Sequence, residues 1–114
     1  MLIEIECQPD VCILRMIGRF VMATDPEYLR SKTEVIKAGN HVKLLADLSG
    51  VLSICSTEIG FLVDLYTSTT RKSGGRFLLT GANARVQEIL KLTRLNTVIP
   101  QAPDAVSGLA VLRI

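Results

Sequence analysis

At 114 residues the chain is long enough for one hydrophobic core and too short for two comfortable ones, so a single domain over residues 1–114 is expected. Hydrophobic residues make up 48% and charged residues 21%, a globular balance that excludes disorder as the main state. The formal charge of +2 is scattered along the chain, without the dense Lys/Arg stripe that counterion release from nucleic acid calls for, so nucleic acid is excluded as an expected partner.

The first residues, Met1 to Gln8, carry Glu4 and Glu6 where a signal peptide needs a basic start and an unbroken apolar stretch. No later run approaches membrane-spanning length, so a cytoplasmic protein with no membrane insertion is expected. None of the three cysteines belongs to a closely spaced Cys/His set, which argues against a structural metal and a disulfide framework. Cys7 and Cys12 flank Gln8-Pro9-Asp10-Val11 and can face each other across a hairpin. A reducing cytosol makes free thiols the expected state for both.

Ile3-Glu4-Ile5-Glu6 alternates apolar and polar residues, and Val11 to Ile17 is rich in β-branched and aliphatic side chains, which predicts two strands in a hairpin around Pro9-Asp10. Gly18 ends the second strand. Thr24-Asp25-Pro26-Glu27 combines a hydroxyl cap, a first-turn Pro and a Glu three residues after the Thr, a helix start. Helix one closes at Gly39-Asn40, with Tyr28, Leu29, Val35 and Ile36 as its inward stripe. Val42 to Leu48 is a short, nearly continuous apolar run, the pattern of a central strand covered on both faces.

Helix two is predicted from about Ser56 to Lys72, with Ile59, Leu62, Val63 and Tyr66 at helical spacing and Ser73-Gly74-Gly75 as the stop. Arg76 to Thr80 reads as a strand. Asn83 caps helix three, whose inner face is Val86, Ile89, Leu90 and Thr93. Thr97 to Ile99 adds a short strand before Pro100, and the tail after Pro103 is read as a helix. Helices alternating with the later strands need crossover connections, so the fold class is α/β: one mixed sheet of four to five strands with about four helices packed on it.

Nothing in the chain reads as a catalytic constellation, and no enzyme activity, cofactor or metal is expected. Cys55 lies between a strand and a helix start, where a thiol can become nucleophilic. The phosphate-handling version of that arrangement needs an Arg six residues later, and position 61 is Phe. The only histidine, His41, falls on a loop after helix one. Gly74-Gly75 follows a helix and precedes a strand, the reverse of a phosphate-binding order. Ser56, by contrast, opens helix two and is expected as its N-cap. Phe20, Val21 and Met22 form an apolar trio in a segment expected to be a loop, which suits either packing over the core or a contact surface.

Asp47-Leu48-Ser49-Gly50-Val51, then Ile54-Cys55-Ser56-Thr57-Glu58-Ile59-Gly60, then Ala84 to Leu95 followed by Ile99-Pro100, resemble in order and setting the STAS family of sulphate transporters and anti-sigma-factor antagonists. The resemblance covers nearly the whole chain and implies the single α/β domain described above. In the antagonist branch the Ser after the motif's Asp accepts a phosphate, which falls on Ser56. This chain departs from the pattern in having Cys55 for that Asp, Glu58 for the following Gly and Val21 for a second acid. The resemblance implies a protein partner, an anti-sigma factor or related serine kinase, with a homodimer left open. The partner surface is expected from Phe20, Val21, Met22 and Thr24 together with Cys55, Ser56, Thr57 and Glu58. A constitutive accessory subunit without a phosphate switch is the alternative, and a Cys55 thiol enzyme is the least favoured.

Overall fold

A computed structural model describes residues 2–18, 25–39 and 42–113. Strands β1 (Leu2–Cys7) and β2 (Cys12–Gly18) form the antiparallel hairpin. Helix α1 (Asp25–Ala38) leads to β3 (Lys43–Val51), α2 (Ser56–Thr70) to β4 (Arg76–Thr80), and α3 (Ala84–Leu92) to the two-residue β5 (Gln101–Ala102). Helix α4 (Ala105–Leu112) closes the described chain. The five strands lie in the order β1-β2-β3-β4-β5, parallel from β2 onward, so the sheet is mixed and β3 is central, as its apolar run predicts.

Because successive strand residues point to opposite faces, β3 feeds two separate cores. Leu44, Ala46 and Leu48 join Leu29 and Ile36 of α1, Leu62 and Leu65 of α2, and Val86 and Leu90 of α3 in the larger one. Leu45 faces the other way and packs with Val11, Ile13, Leu78 and Leu112, so α4 covers that face. Gly108 lets α4 lie against the sheet: a Cβ there would come within 2.7 Å of Thr80 and 2.8 Å of Leu45. Asp104 caps α4 by accepting the Ser107 backbone N–H at 2.8 Å, and that hydrogen bond is the main cause holding its carboxyl below the ordinary value of 3.8.

Four local expectations are corrected. Val35 is 59% exposed, and Thr33 takes the inward place between Leu29 and Ile36. Positions 29, 33 and 36 share one helical stripe, whereas Val35 lies well around the helix from Leu29. Thr93 is the exposed C-cap of α3 rather than part of its inner face. The strand expected over Thr97 to Ile99 is instead a 3-10 turn, Leu95–Thr97, entered through Arg94 at φ 61. There the N–H groups of Val98 and Ile99 bond back to the Leu95 carbonyl, and the sheet resumes only where the Pro100 carbonyl accepts from Leu79 at 3.0 Å. Ile99 is buried, which is why the segment has a strand-like pattern.

The fourth correction concerns the expected free thiols of the hairpin: Cys7 and Cys12 form a disulfide, with Cα atoms 4.1 Å apart. The Gln8 N–H bonds the Val11 carbonyl next to them, so the cysteines occupy a non-hydrogen-bonded pair, where facing residues come closest. The free cysteine among the described residues is Cys55.

Candidate functional site

The carboxyl ends of β3 and β4 bring two helix starts side by side. After Val51 the chain turns through the exposed Leu52, the half-buried Ser53 and the buried Ile54 into α2. After Thr80 it turns through Gly81 and Ala82 into α3. Gly81 adopts φ +73 and passes so close to β3 that a Cβ would meet the Ser49 backbone nitrogen at 2.9 Å. Asp47 supports this end from within β3, its Oδ1 accepting the Ser49 N–H at 2.9 Å.

At the start of α2 the roles differ by one position from those expected. Cys55 is the N-cap residue, with extended backbone (φ −117, ψ −178), and Ser56 is the first helical residue. The polar contribution comes from Glu58, whose Oε1 accepts the Cys55 backbone N–H at 3.0 Å. This is half of a capping box; the reciprocal half ends on the Cys55 thiol, a weak acceptor. Glu58 is 0% exposed, which corrects its expected place on the contact surface: it braces the helix start from inside. Ser56 is exposed, and Cys55 and Thr57 are half-buried. Thr57 faces a groove of about 330 Å³ between α1 and α2, shared with Leu29, Thr33 and Phe61.

The start of α3 is built differently. Asn83 Oδ1 accepts the Val86 N–H at 2.8 Å, while its Nδ2 donates to the carbonyls of Val51 at 3.1 Å and Leu52 at 3.2 Å. One side chain thereby caps α3 and fastens the loop that delivers Ser56. Arg85 adds a second tie, its Nε donating to Ser53 Oγ at 3.1 Å. The cap is legible in the sequence; the tie to the neighbouring loop requires knowing that β3 and β4 are adjacent. Leu52, 64% exposed beside these residues, is an apolar surface position that the sequence pattern did not single out.

Phe20, Val21, Met22 and Thr24 lie outside the described residues, as does His41. Of the expected contact positions, the structure therefore brings Cys55, Ser56 and Thr57 together at one helix start and withdraws Glu58. Phe61, six residues after Cys55, is buried in the core, so no cationic clamp for a thiol nucleophile stands there. Among the described residues no group of three or more His, Cys, Asp or Glu side chains could hold a metal ion. No helix among them is long and apolar enough to cross a membrane.

A mixed sheet with three crossover helices on one face, a terminal helix on the other and two braced helix starts at its carboxyl end defines a class of small α/β domain. The model of the STAS domain matches residues 3–107, and the chain belongs to that family. An anti-sigma factor antagonist from Mycobacterium paratuberculosis superposes with a TM-score of 0.81 at 21% identity, over 99% of this chain and 94% of that one. An anti-sigma-factor antagonist (STAS) domain protein from Planctomyces limnophilus gives a TM-score of 0.84 at 20% identity, over 98% of each chain. The phosphorylated form of the Bacillus cell fate determinant SpoIIAA gives 0.65 at 15% identity, over 89% of this chain and 91% of that one. No curated protein matches the sequence.

Proposed function

We propose that this domain is a non-catalytic regulator that docks a protein partner, an anti-sigma factor or related serine kinase, through the start of α2. The observation that carries the proposal is that Ser56 stands exposed at a helix N-terminus whose capping is supplied by other groups, Cys55 and the buried Glu58. Its hydroxyl is therefore spare. Half-buried Cys55 and Thr57 flank it, and exposed Leu52 adds apolar surface in the loop before the helix.

Control works through charge. An unmodified hydroxyl leaves a neutral surface for docking, and a phosphate on Ser56 adds up to two negative charges that a partner's apolar or acidic surface would have to desolvate. The helix N-terminus holds that phosphate favourably within the domain, so modification weakens binding while the fold survives. The likeness to a protein studied in a phosphorylated form supports this reading. A constitutive accessory subunit is the second reading, favoured by Val21 and Cys55 where the family resemblance has acids. Affinity purification from the source cell, with mass spectrometry of co-purifying proteins and of Ser56, tests the proposal. A serine kinase or anti-sigma factor is expected, together with a Ser56 phosphopeptide absent from the bound fraction. A stable partner recovered equally with and without Ser56 phosphate favours the accessory subunit.

A further inference from the structure

The β1-β2 turn lies between the two cores and is tied to the far end of the chain. Cys12 is buried in the larger core, and Val11, one residue earlier, is buried in the smaller core against Leu112 of α4. From the end of α4, Arg113 reaches back to the turn. Its Nε donates to Asp10 Oδ2 at 2.8 Å and its Nη2 donates to Gln8 Oε1. Both anchors of that guanidinium thus sit inside the loop that the Cys7–Cys12 bond closes. The bond is asymmetric: Cys7 belongs to an exposed position on the outer strand, and Cys12 is 3% exposed.

We infer that Cys7–Cys12 is a reversible thiol–disulfide site that sets how firmly α4 is held to the sheet. The reductant is a small thiol of the glutathione class. Its thiolate attacks the sulfur of Cys7, the S–S bond breaks, and the Cys12 sulfur leaves as a thiolate that takes up a proton. A second molecule of the thiol then attacks the mixed disulfide, releasing Cys7 as a thiol and carrying away the oxidised disulfide. Two thiols are oxidised and one protein disulfide is reduced. Cys12 as a thiol remains a small apolar residue in the core, so the main fold stays intact. What changes is the turn. Without its cross-link, Gln8 to Val11 gains freedom, the two acceptors of Arg113 are no longer held together, and Val11 packs less firmly against Leu112. The purely structural alternative, a bond that small thiols do not reach or whose loss α4 does not feel, makes the opposite predictions.

The test uses the intact chain with reduced or oxidised glutathione as the probe. Iodoacetamide labelling followed by intact mass measurement should count one free thiol in the oxidised protein and three after reduction, since the chain has three cysteines of which Cys55 is free. Hydrogen exchange of the α4 amides should be faster in the reduced protein by about tenfold, while exchange in β3 and β4 stays within about twofold. Oxidised glutathione should restore both. The Cys7→Ser/Cys12→Ser double variant should exchange like the reduced protein and ignore the reductant. Arg113→Ala should exchange fast in α4 in either redox state. Resistance of the pair to glutathione in the folded protein overturns the inference, as does equal α4 exchange in the two states. A redox response of undiminished size in Arg113→Ala overturns the coupling through that guanidinium.

Discussion

The starts of α2 and α3 meet at the same end of the sheet and solve the same problem in opposite ways. Each must satisfy backbone N–H groups that have no partner inside the helix. At α3 the solution is a side chain on the surface: Asn83 is exposed, caps Val86 and holds two carbonyls of the neighbouring loop. At α2 the solution is internal: the carboxylate of the buried Glu58 takes the Cys55 N–H, and the exposed hydroxyl of Ser56 is not needed. The surface of α3's start is thus committed to structure, whereas that of α2's start is free for a partner. A protein that binds through a helix start gains from this separation, because the contact residue can be modified without loosening the helix.

The sharpest way to break the comparison is to remove the internal brace. Glu58→Ala leaves the Cys55 N–H unsatisfied and a void in the core, and should lower unfolding stability by about 3 kcal/mol in a denaturant titration. Glu58→Gln retains an acceptor oxygen of similar shape and should recover most of that loss. If Ala and Gln are equally damaging, the brace acts through its charge and not through this hydrogen bond. Asn83→Ala removes a cap and two loop ties and should cost about 2 kcal/mol. Faster exchange of amides in the loop before α2, and not only in α3, would show that the two starts are linked; a loss confined to α3 would separate them.

A milder perturbation uses the start of α4. Asp104 caps Ser107 and has a lowered folded-state pKa, so its contribution is present above the ordinary Asp value of 3.8 and is lost as pH falls through the lower folded value. Exchange of the first α4 amides should accelerate over that acid window, relative to the intrinsic rate, and Asp104→Asn should lack the transition. The smallest effect is expected at Ser56. Ser56→Ala removes a hydroxyl that caps nothing and should change stability by no more than about 0.5 kcal/mol. A loss of about 1 kcal/mol would mean that Ser56 is the working cap after all.

Much of this architecture is legible in the sequence because local signals and burial agree. Arg76 to Thr80 is a strand by pattern and in the structure, and Asn83 announces the helix it caps. The hairpin is equally plain from alternation around Pro9-Asp10. Reading fails where tertiary context decides. Val35 is apolar but lies off the stripe set by Leu29 and Ile36, and Ile99 is buried from a turn, so apolarity alone misplaces both. At the site, the helix start is found and its cap is displaced by one residue. The sequence shows a serine before a glutamate and cannot show that the glutamate turns inward. For the hairpin cysteines a reducing compartment argues for free thiols, whereas the close spacing of facing residues beside the turn brings them together. The second role of Asn83 has no local signal at all.

The central claim is that Ser56 is spare for folding and decisive for docking, and one measurement addresses both halves. Wild type, Ser56→Ala and Ser56→Asp are immobilised, exposed to lysate of the source cell, and the captured proteins quantified, with the melting temperature of each bait recorded alongside. Asp at the first helical position suits the helix dipole, so all three baits should melt within about 2 °C of one another. Wild type and Ser56→Ala should capture the same kinase or anti-sigma factor in similar amounts, and Ser56→Asp should lose it by about tenfold or more. Equal capture by all three baits at equal melting temperatures would contradict the account, because the added charge would then be invisible to whatever this surface binds.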